Sequence, residues 1–192
     1  MIEIKLLGSP HILRDGREVK VENRKILALL AYLGLERRQR RDFLAGLLWP
    51  EYDQTRATSN LRSALWGLKK AIGEQSVLTT RQSLELAQDQ LDRIDVVQFR
   101  RQLAAWASHS HPPEEPCATC QPALLAAVEL YRGEFLAGFS LDDSSRFEEW
   151  QFFEAERLRR DYAQALKWLV LSNTAQATFA AALDYAWRWL AL

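Results

Sequence analysis

The stretch DQTRATSNLRSALWGLKKAIG, residues 53–73, decides how the first half of the chain is interpreted. Its apolar residues recur every three or four positions and fall within an arc of roughly 120° on a helical wheel, which predicts an amphipathic helix. Asp53 or Thr55 is a suitable N-cap and Gly73 a suitable terminator, so we expect a helix over about 54–72. The apolar residues are Ala57, Leu61, Ala64, Leu65, Leu68, Ala71 and Ile72.

The opposite face of this predicted helix is polar and basic, and no acidic residue occurs between Gln54 and Gly73. Lysine and arginine on a helix usually mark only a solvated surface, which normally mixes charges of both signs at a spacing of four residues. Here four cations have no acidic partner, and a tryptophan outside the apolar stripe lies among them. Binding to a polyanion therefore explains the face better than solvation does. The face consists of Thr55, Arg56, Ser59, Arg62, Ser63, Trp66, Lys69 and Lys70.

The residues before this helix predict a small antiparallel sheet. Apolar and polar residues alternate over 2–6, and a second short strand is expected at 11–13. Asp15-Gly16 is a strong hairpin signal, with a return strand at 18–21. The chain therefore begins with β structure.

Helical periodicity follows, and a hairpin comes after the basic helix. One helix is expected to start at the N-cap Asn23, and a second, shorter helix is stopped by Pro50. Residues 77–80 and 83–86 predict two strands with Arg81 at the tip between them. A sheet, three helices and a hairpin with a basic tip form the element order of an α+β winged helix-turn-helix.

In a winged helix-turn-helix the third helix is expected to enter the major groove of DNA. Arg62 is our first choice for a base contact, because its guanidinium can bond guanine O6 and N7 together. Ser59 and Ser63 are short enough to allow close approach, or they are ordinary surface serines. Trp66 either contacts a sugar or a thymine methyl group, or packs against the hairpin.

The other cations are assigned to the phosphate backbone, which attracts lysine and arginine whatever the base sequence. Arg81 at the hairpin tip either reaches the adjoining minor groove or its phosphates, or stays solvated. The remaining phosphate-contacting candidates are Arg56, Lys69 and Lys70 on the helix, and Arg40 and Arg41 near the second helix.

Several segments resemble, in order, those of SARP-type regulators (Streptomyces antibiotic regulatory proteins). In the first half these are KLLGSP, DGR and NRKILALLAYL within 5–35, LLWPE at 47–51 and ATSNLRSALWGLKKAIG at 57–73. In the second half, IDVVQF at 94–99, LYRGEFLAGF at 130–139 and FEEW at 147–150 resemble the bacterial transcriptional activator domain of that family. The resemblance covers nearly the whole chain.

This resemblance implies an OmpR-like winged-helix DNA-binding domain over 1–90 and an all-α, tetratricopeptide-like activator domain over 91–192. It also implies a transcriptional activator that binds repeated elements in double-stranded promoter DNA. The helical domain would serve dimerisation and contact with RNA polymerase, with a homodimer at least on DNA. Composition and periodicity by themselves give only a basic helix on a small α+β domain.

The second half of the sequence is predicted to be helical. Asp95 can cap a helix through Trp106, and a further helix is expected over 124–139. Ser145 and Glu148 have the spacing of a capping box at the start of a long helix. A polar break at 172–174 and a last helix over 179–190 complete the expectation.

The last predicted helix ends in YAWRWLAL at Leu192, with no glycine or polar stop signal. A helical array needs a polar terminal element to cover its last apolar face. We therefore expect either further chain beyond Leu192 in a longer protein, or a partner at this end.

A proline-rich loop between the predicted helices contains Cys117 and Cys120, with His109 and His111 upstream. These residue types, and the spacing of the cysteines, match half of a zinc site. The alternatives are two free thiols in a flexible loop, which we favour, and a redox disulfide. No cofactor is otherwise expected.

The distribution of charge, the N-terminus and the absence of catalytic motifs narrow the classes of protein that this sequence fits. Residues 1–90 hold 15 Lys/Arg and 11 Asp/Glu, a net charge of +4, whereas residues 91–192 hold 10 and 14, a net charge of −4. The N-terminus lacks the pattern of a signal peptide, and no apolar run suits a membrane span, so we expect a cytoplasmic protein without membrane contact. No phosphate-binding loop, GxSxG or HExxH motif is present, so an enzyme is not expected. The alternative function is a protein-interaction scaffold whose basic helix docks an acidic partner.

Overall fold

The computed structural model describes residues 1–108 and 121–192. The chain begins with an antiparallel sheet of three strands in the order β1-β2-β3. Asp15 and Gly16 form the turn between the second and third strands, both with positive φ (53° and 76°), the conformation that such a tight turn requires. The return strand is shorter than predicted. The strands are β1 (Ile2–Lys5), β2 (His11–Arg14) and β3 (Arg17–Glu18).

Three helices follow, α1 (Arg24–Glu36), α2 (Arg41–Leu48) and α3 (Gln54–Ile72). The predicted caps are confirmed. The Asn23 side chain accepts a hydrogen bond from the N–H of the second residue of α1, and the Asp53 carboxylate accepts from the first turn of α3. Each cap satisfies amide groups that have no partner within the helix.

The predicted hairpin forms as β5 (Val77–Thr79) and β6 (Ser83–Leu86), and we call residues 77–86 the wing. A further strand, β4 (Gln39–Arg40), pairs with β6, which places the wing beside the start of α2. The sequence predicted only a basic run at this strand. Its two residues have no alternating pattern, so only the pairing with Ser83 and Leu84 identifies them as a strand.

The second half of the described chain is helical, and the predicted last helix is confirmed with its bounds. The first three helices lie before the segment 131–144, and the long helix after it packs against the last. They are α4 (Gln88–Leu91), α5 (Asp95–Ala107), α6 (Gln121–Leu130), α7 (Ser145–Ala175) and α8 (Phe179–Leu190).

The helix predicted over 124–139 is wrong beyond Leu130, because the chain there turns to pair with residues 6–8, which follow β1. The N–H of Leu136 donates to the carbonyl of Leu6 at 2.8 Å, and Gly8 N–H donates to the carbonyl of Glu134 at 2.9 Å. Leu136 and Gly138 have positive φ, which is incompatible with a right-handed helix through these positions. The tertiary contacts override the apolar periodicity of this segment.

Two further expectations about α7 are wrong. The capping box does not form: the N-cap is Ser144, whose hydroxyl donates to the carbonyl of Leu47 at 2.6 Å, and Glu148 accepts from the N–H of Leu141. The predicted polar break at 172–174 lies inside the helix. Asn173 bonds back to the carbonyl of Leu169 at 2.8 Å, so a polar side chain is accommodated without ending the helix.

A buried carboxylate joins the two halves of the chain. Asp95, 1% exposed, accepts hydrogen bonds from the N–H groups of Leu6 (2.8 Å) and Leu7 (3.1 Å) and pairs with Arg132 at 2.8 Å. Burial raises the pKa of Asp95, an effect that these donors oppose. The prediction that Asp95 caps this helix is therefore wrong: Ile94 is at the cap position, and Asp95 is the first residue of α5 and binds the segment that follows β1.

A second junction fixes the turn that leads into α3. Lys25 is 8% exposed, and its ammonium group contacts the carbonyl of Leu48 and, at 2.7 Å, the carboxylate of Asp143. The indole N–H of Trp150 donates to Glu36 at 2.9 Å.

The apolar core runs without interruption through both halves, and the division into domains at 90/91 stays a prediction.

Candidate nucleic-acid interface

Helix α3 buries its apolar stripe and exposes its basic face, as the sequence predicts. All seven predicted apolar residues are buried against α1 and α2. Of the eight residues predicted on the opposite face, seven are exposed and Lys69 is half-buried, so we call this surface the reading face. The exposed residues are Thr55, Arg56, Ser59, Arg62, Ser63, Trp66 and Lys70.

Trp66 is 65% exposed and stands in the middle of the reading face. The ammonium group of Lys70 lies 5.3 Å from the centre of its ring. The cleft beside Trp66 is lined by residues from 14–26 and 63–71 and by none from the wing, which disfavours the predicted alternative that it packs against the wing. An exposed indole with a neighbouring cation is suited to contact with a sugar or a base.

Four predicted arginines meet in a cleft of about 360 Å³ between the start of α2, the start of α3 and the wing. We call it the wing cleft. Arg62 from α3 and Arg81 from the wing tip have no hydrogen bond or ion pair within the described chain. Arg41, half-buried, donates to the carbonyl of Thr80 at 3.4 Å. The wing cleft therefore presents guanidinium groups from three separate elements to one space.

Arg40, the fourth arginine of the wing cleft, is paired with an acidic neighbour. Its Nε and Nη2 donate to the two carboxylate oxygens of Asp42 at 3.0 and 2.6 Å. This pairing raises the pKa of Arg40 and lowers the pKa of Asp42. Arg40 is thus less available to a phosphate than its unpaired neighbours Arg62 and Arg81, a difference that the sequence did not predict.

The remaining predicted residues lie between the start and the middle of α3. The guanidinium of Arg56 lies 4.3 Å from the ring centre of Tyr52, which holds it beside the helix start. The hydroxyl of Ser63 donates to the carbonyl of Ser59 at 3.3 Å, so that hydroxyl is turned to its own helix. Thr55 is exposed.

Besides Asp42, three uncharged polar residues that were not predicted also line the wing cleft: Gln54, Thr58 and Gln82. Gln54 and Thr58 precede Arg62 by eight and four positions, so helical spacing alone would have placed them on its flank. Gln82 follows Arg81 in the wing, and only the folded hairpin brings it to α3.

The metal hypothesis and the membrane expectation concern other parts of the chain. His109, His111, Cys117 and Cys120 lie outside the described residues. Within 1–108 and 121–192, no group of three or more His, Cys, Asp or Glu side chains could hold a metal ion. Among those same residues, the helices that are long enough to cross a bilayer are not apolar enough to do so.

No protein-family model and no curated protein matches this sequence. Among solved structures, the chain is similar to "Mycobacterium tuberculosis EmbR in complex with low affinity phosphopeptide", with a TM-score of 0.69 and 21% identity. The match covers 96% of this chain and 50% of the EmbR chain, so this chain spans half the length of the EmbR chain. The likeness shows the fold: a small antiparallel sheet, then a mostly helical chain, consistent with a winged helix and a helical region.

Proposed function

We propose that this protein is a sequence-specific DNA-binding transcriptional activator. The observation that carries the proposal is the reading face of α3, which is exposed and free of acidic residues and borders the arginines of the wing cleft. A helix with this face fits the major groove, which admits one α-helix. The EmbR-like fold and the resemblance to SARP-type regulators support the same function.

In this proposal, contacts to phosphates and contacts to bases are made by different residues. Lys70, Lys69 and Arg56, with Arg41 and Arg81 on the flank, neutralise phosphates and release counterions. Arg62, which is exposed and whose N–H groups have no partner within the described chain, reads a guanine from the middle of the helix. Phosphate contacts supply affinity on any sequence, and the base contact supplies discrimination.

The most informative experiment is selection of bound duplexes from random DNA. We expect enrichment of one sequence in repeated copies, whose spacing reports how two protein molecules sit on the duplex. Recovery of no common sequence after repeated rounds, with binding otherwise intact, would contradict sequence-specific recognition.

Lys70→Ala is expected to weaken binding to every duplex to about the same extent. Because Lys70 contacts phosphate, its loss should make the slope of log affinity against log salt less negative by about one. Titrations of selected and random duplexes over a series of salt concentrations measure both effects. Lys167→Ala, which removes an exposed cation from α7, is the matched control and should leave the slope unchanged. Loss of affinity for the selected duplex only would assign Lys70 to base reading.

We further propose that the helical half mediates dimerisation on promoter DNA and contact with RNA polymerase, in the cytoplasm and without catalytic activity. The resemblance to the bacterial transcriptional activator domain supports these roles. Light scattering of the complex with a duplex carrying two selected elements should give two protein molecules per duplex. One molecule per duplex at saturation would contradict the homodimer.

The alternative function is a scaffold whose basic helix docks an acidic protein. A steep loss of duplex binding between low and moderate salt supports DNA as the ligand, because counterion release scales with the number of phosphates contacted. Absence of binding to any duplex at low salt would favour the scaffold.

A further inference from the structure

A second basic cleft, of about 530 Å³, lies along α3 on the flank away from the wing. Its outer wall is the segment 19–23, which links β3 to α1, so we call it the linker cleft. Arg14, Lys20 and Lys70 supply its cations, and Glu22 is the one carboxylate among its lining residues. The cleft also includes one side of Trp66, so it adjoins the reading face directly.

The walls of the linker cleft are held together by specific contacts. The Nη2 group of Arg14 donates to the carbonyls of Lys70 (3.1 Å) and Ala71 (2.7 Å) at the end of α3. These bonds satisfy carbonyls that have no partner within the helix and fix β2 against it. On the inner side, α1 approaches closely at Gly67, where a Cβ atom would come within 2.5 Å of Ile26 Cδ1. The linker cleft is therefore part of the folded scaffold.

The two clefts lie on opposite flanks of α3. Gln54, Thr58 and Arg62 line the wing cleft, and at 100° per residue they occupy one side of the helix in its first half. Ser63, Trp66 and Lys70 line the linker cleft on the other side, in the second half. The ridge between them is the middle of the reading face.

The dimensions of the major groove explain why cations on both flanks of α3 matter. The groove is about 12 Å wide and is bounded by the sugar-phosphate backbones of both strands. An α-helix with its side chains is about 10–12 Å across, so a helix in the groove has one backbone on each flank. A protein with cations on one flank only would contact one strand, whereas this protein has cations on both.

We propose that the linker cleft binds the backbone of the DNA strand opposite to the strand bound at the wing cleft, with Lys20 as its phosphate contact. This inference rests on the proposed function and adds residues from the N-terminal sheet and linker to the interface. Lys20 is exposed and makes no hydrogen bond or ion pair within the described chain. The exposed ring of Trp66 packs on the sugar between the phosphates contacted by Lys20 and Lys70.

The test compares Lys20→Ala and Lys20→Glu with the wild type on a duplex selected from random DNA. We expect about threefold to tenfold weaker binding for Lys20→Ala, a salt slope less negative by about one, and a larger loss for Lys20→Glu. Replacement of single phosphates by neutral methylphosphonates on either strand identifies the contact. At the phosphate that Lys20 contacts, the methylphosphonate should weaken binding of the wild type but not weaken binding of Lys20→Ala any further. The same comparison with Arg81→Ala identifies the phosphate that Arg81 contacts, and the two phosphates should lie on opposite strands.

The controls separate failure of this inference from failure of the proposed function. Lys167→Ala removes a remote exposed cation and should bind as the wild type does. Wild-type affinity of Lys20→Glu, together with weakened binding by Arg81→Ala, would overturn the linker cleft as a DNA contact while leaving the proposed function intact. The inference would also be overturned if the phosphates that Lys20 and Arg81 contact lay on the same strand. Failure of the wild type to bind any duplex at low salt would overturn both.

Discussion

Arg62→Ala is expected to weaken binding to the selected duplex by about 10- to 100-fold, which corresponds to a loss on the order of 1–3 kcal/mol. The guanidinium of Arg62 is exposed on α3 and unpaired within the described chain, so its full hydrogen-bonding capacity is free for a guanine. On random duplexes the loss should be smaller, because only the charge is missing. A competition titration of selected against random DNA measures the two losses together.

Arg62→Lys is the matched control for this prediction. Lysine keeps the positive charge but cannot form the bidentate bond, so the variant should bind random DNA normally and still discriminate poorly. Equal binding of the selected duplex by the wild type and Arg62→Ala would contradict the base contact. Equal losses on selected and random DNA would reassign Arg62 to the phosphates, beside Arg41 and Arg81.

Asp95→Ala is expected to lower the free energy of unfolding by about 2–5 kcal/mol, because it removes a buried carboxylate that accepts from two buried amide groups and pairs with the partly exposed Arg132. The variant leaves the N–H groups of Leu6 and Leu7 without their acceptor and removes the partner of Arg132. Unsatisfied buried amides retain their full desolvation cost. Urea denaturation of the whole chain measures the change.

Asp92→Ala is the control for Asp95→Ala. Asp92 lies three residues earlier, is exposed and pairs with Arg101 on the surface. Such pairs contribute about 0–1 kcal/mol, so this variant should be close to the wild type in stability. Similar stabilities of Asp95→Ala and Asp92→Ala would mean that Asp95 does not hold the two halves together.

The elements whose evidence is local were predicted well. The apolar stripe of α3, its N-cap Asp53 and its terminator Gly73 lie within one continuous segment, and the structure confirms all of them. The turn at Asp15 and Gly16 and the last helix were predicted for the same reason. In each case, the residues that determine the element are neighbours in the sequence.

The features that were missed depend on partners distant in sequence. Strand β4 exists because Gln39 and Arg40 pair with the wing, more than forty residues later. Residues 131–139 are not helical and pair with residues 6–8 after β1, although their apolar spacing fits a helix. The role of Asp95 also depends on distant partners, since its carboxylate accepts from the N–H groups of Leu6 and Leu7. Periodicity describes one element at a time and carries no information on such pairings.

In the candidate site, too, the features with local evidence were predicted and those that depend on the fold were not. Charge and spacing placed the cations of α3 on one face, and the structure exposes three of them there and leaves Lys69 half-buried. The pairing of Arg40 with Asp42, and the presence of Gln82 in the wing cleft, required the fold. The linker cleft was not predicted, because Lys20 lies between Val19 and Val21 in the predicted return strand, and only the fold places it in one cleft with Lys70.

Methylation of guanine N7 by dimethyl sulfate tests the placement of α3 most directly, since N7 is an acceptor in the major groove. With the wild type bound to a selected duplex, we expect protection of guanines in each element and renewed reactivity at one of them with Arg62→Ala. Full reactivity of every guanine N7 in a saturated wild-type complex would show that α3 does not occupy the major groove.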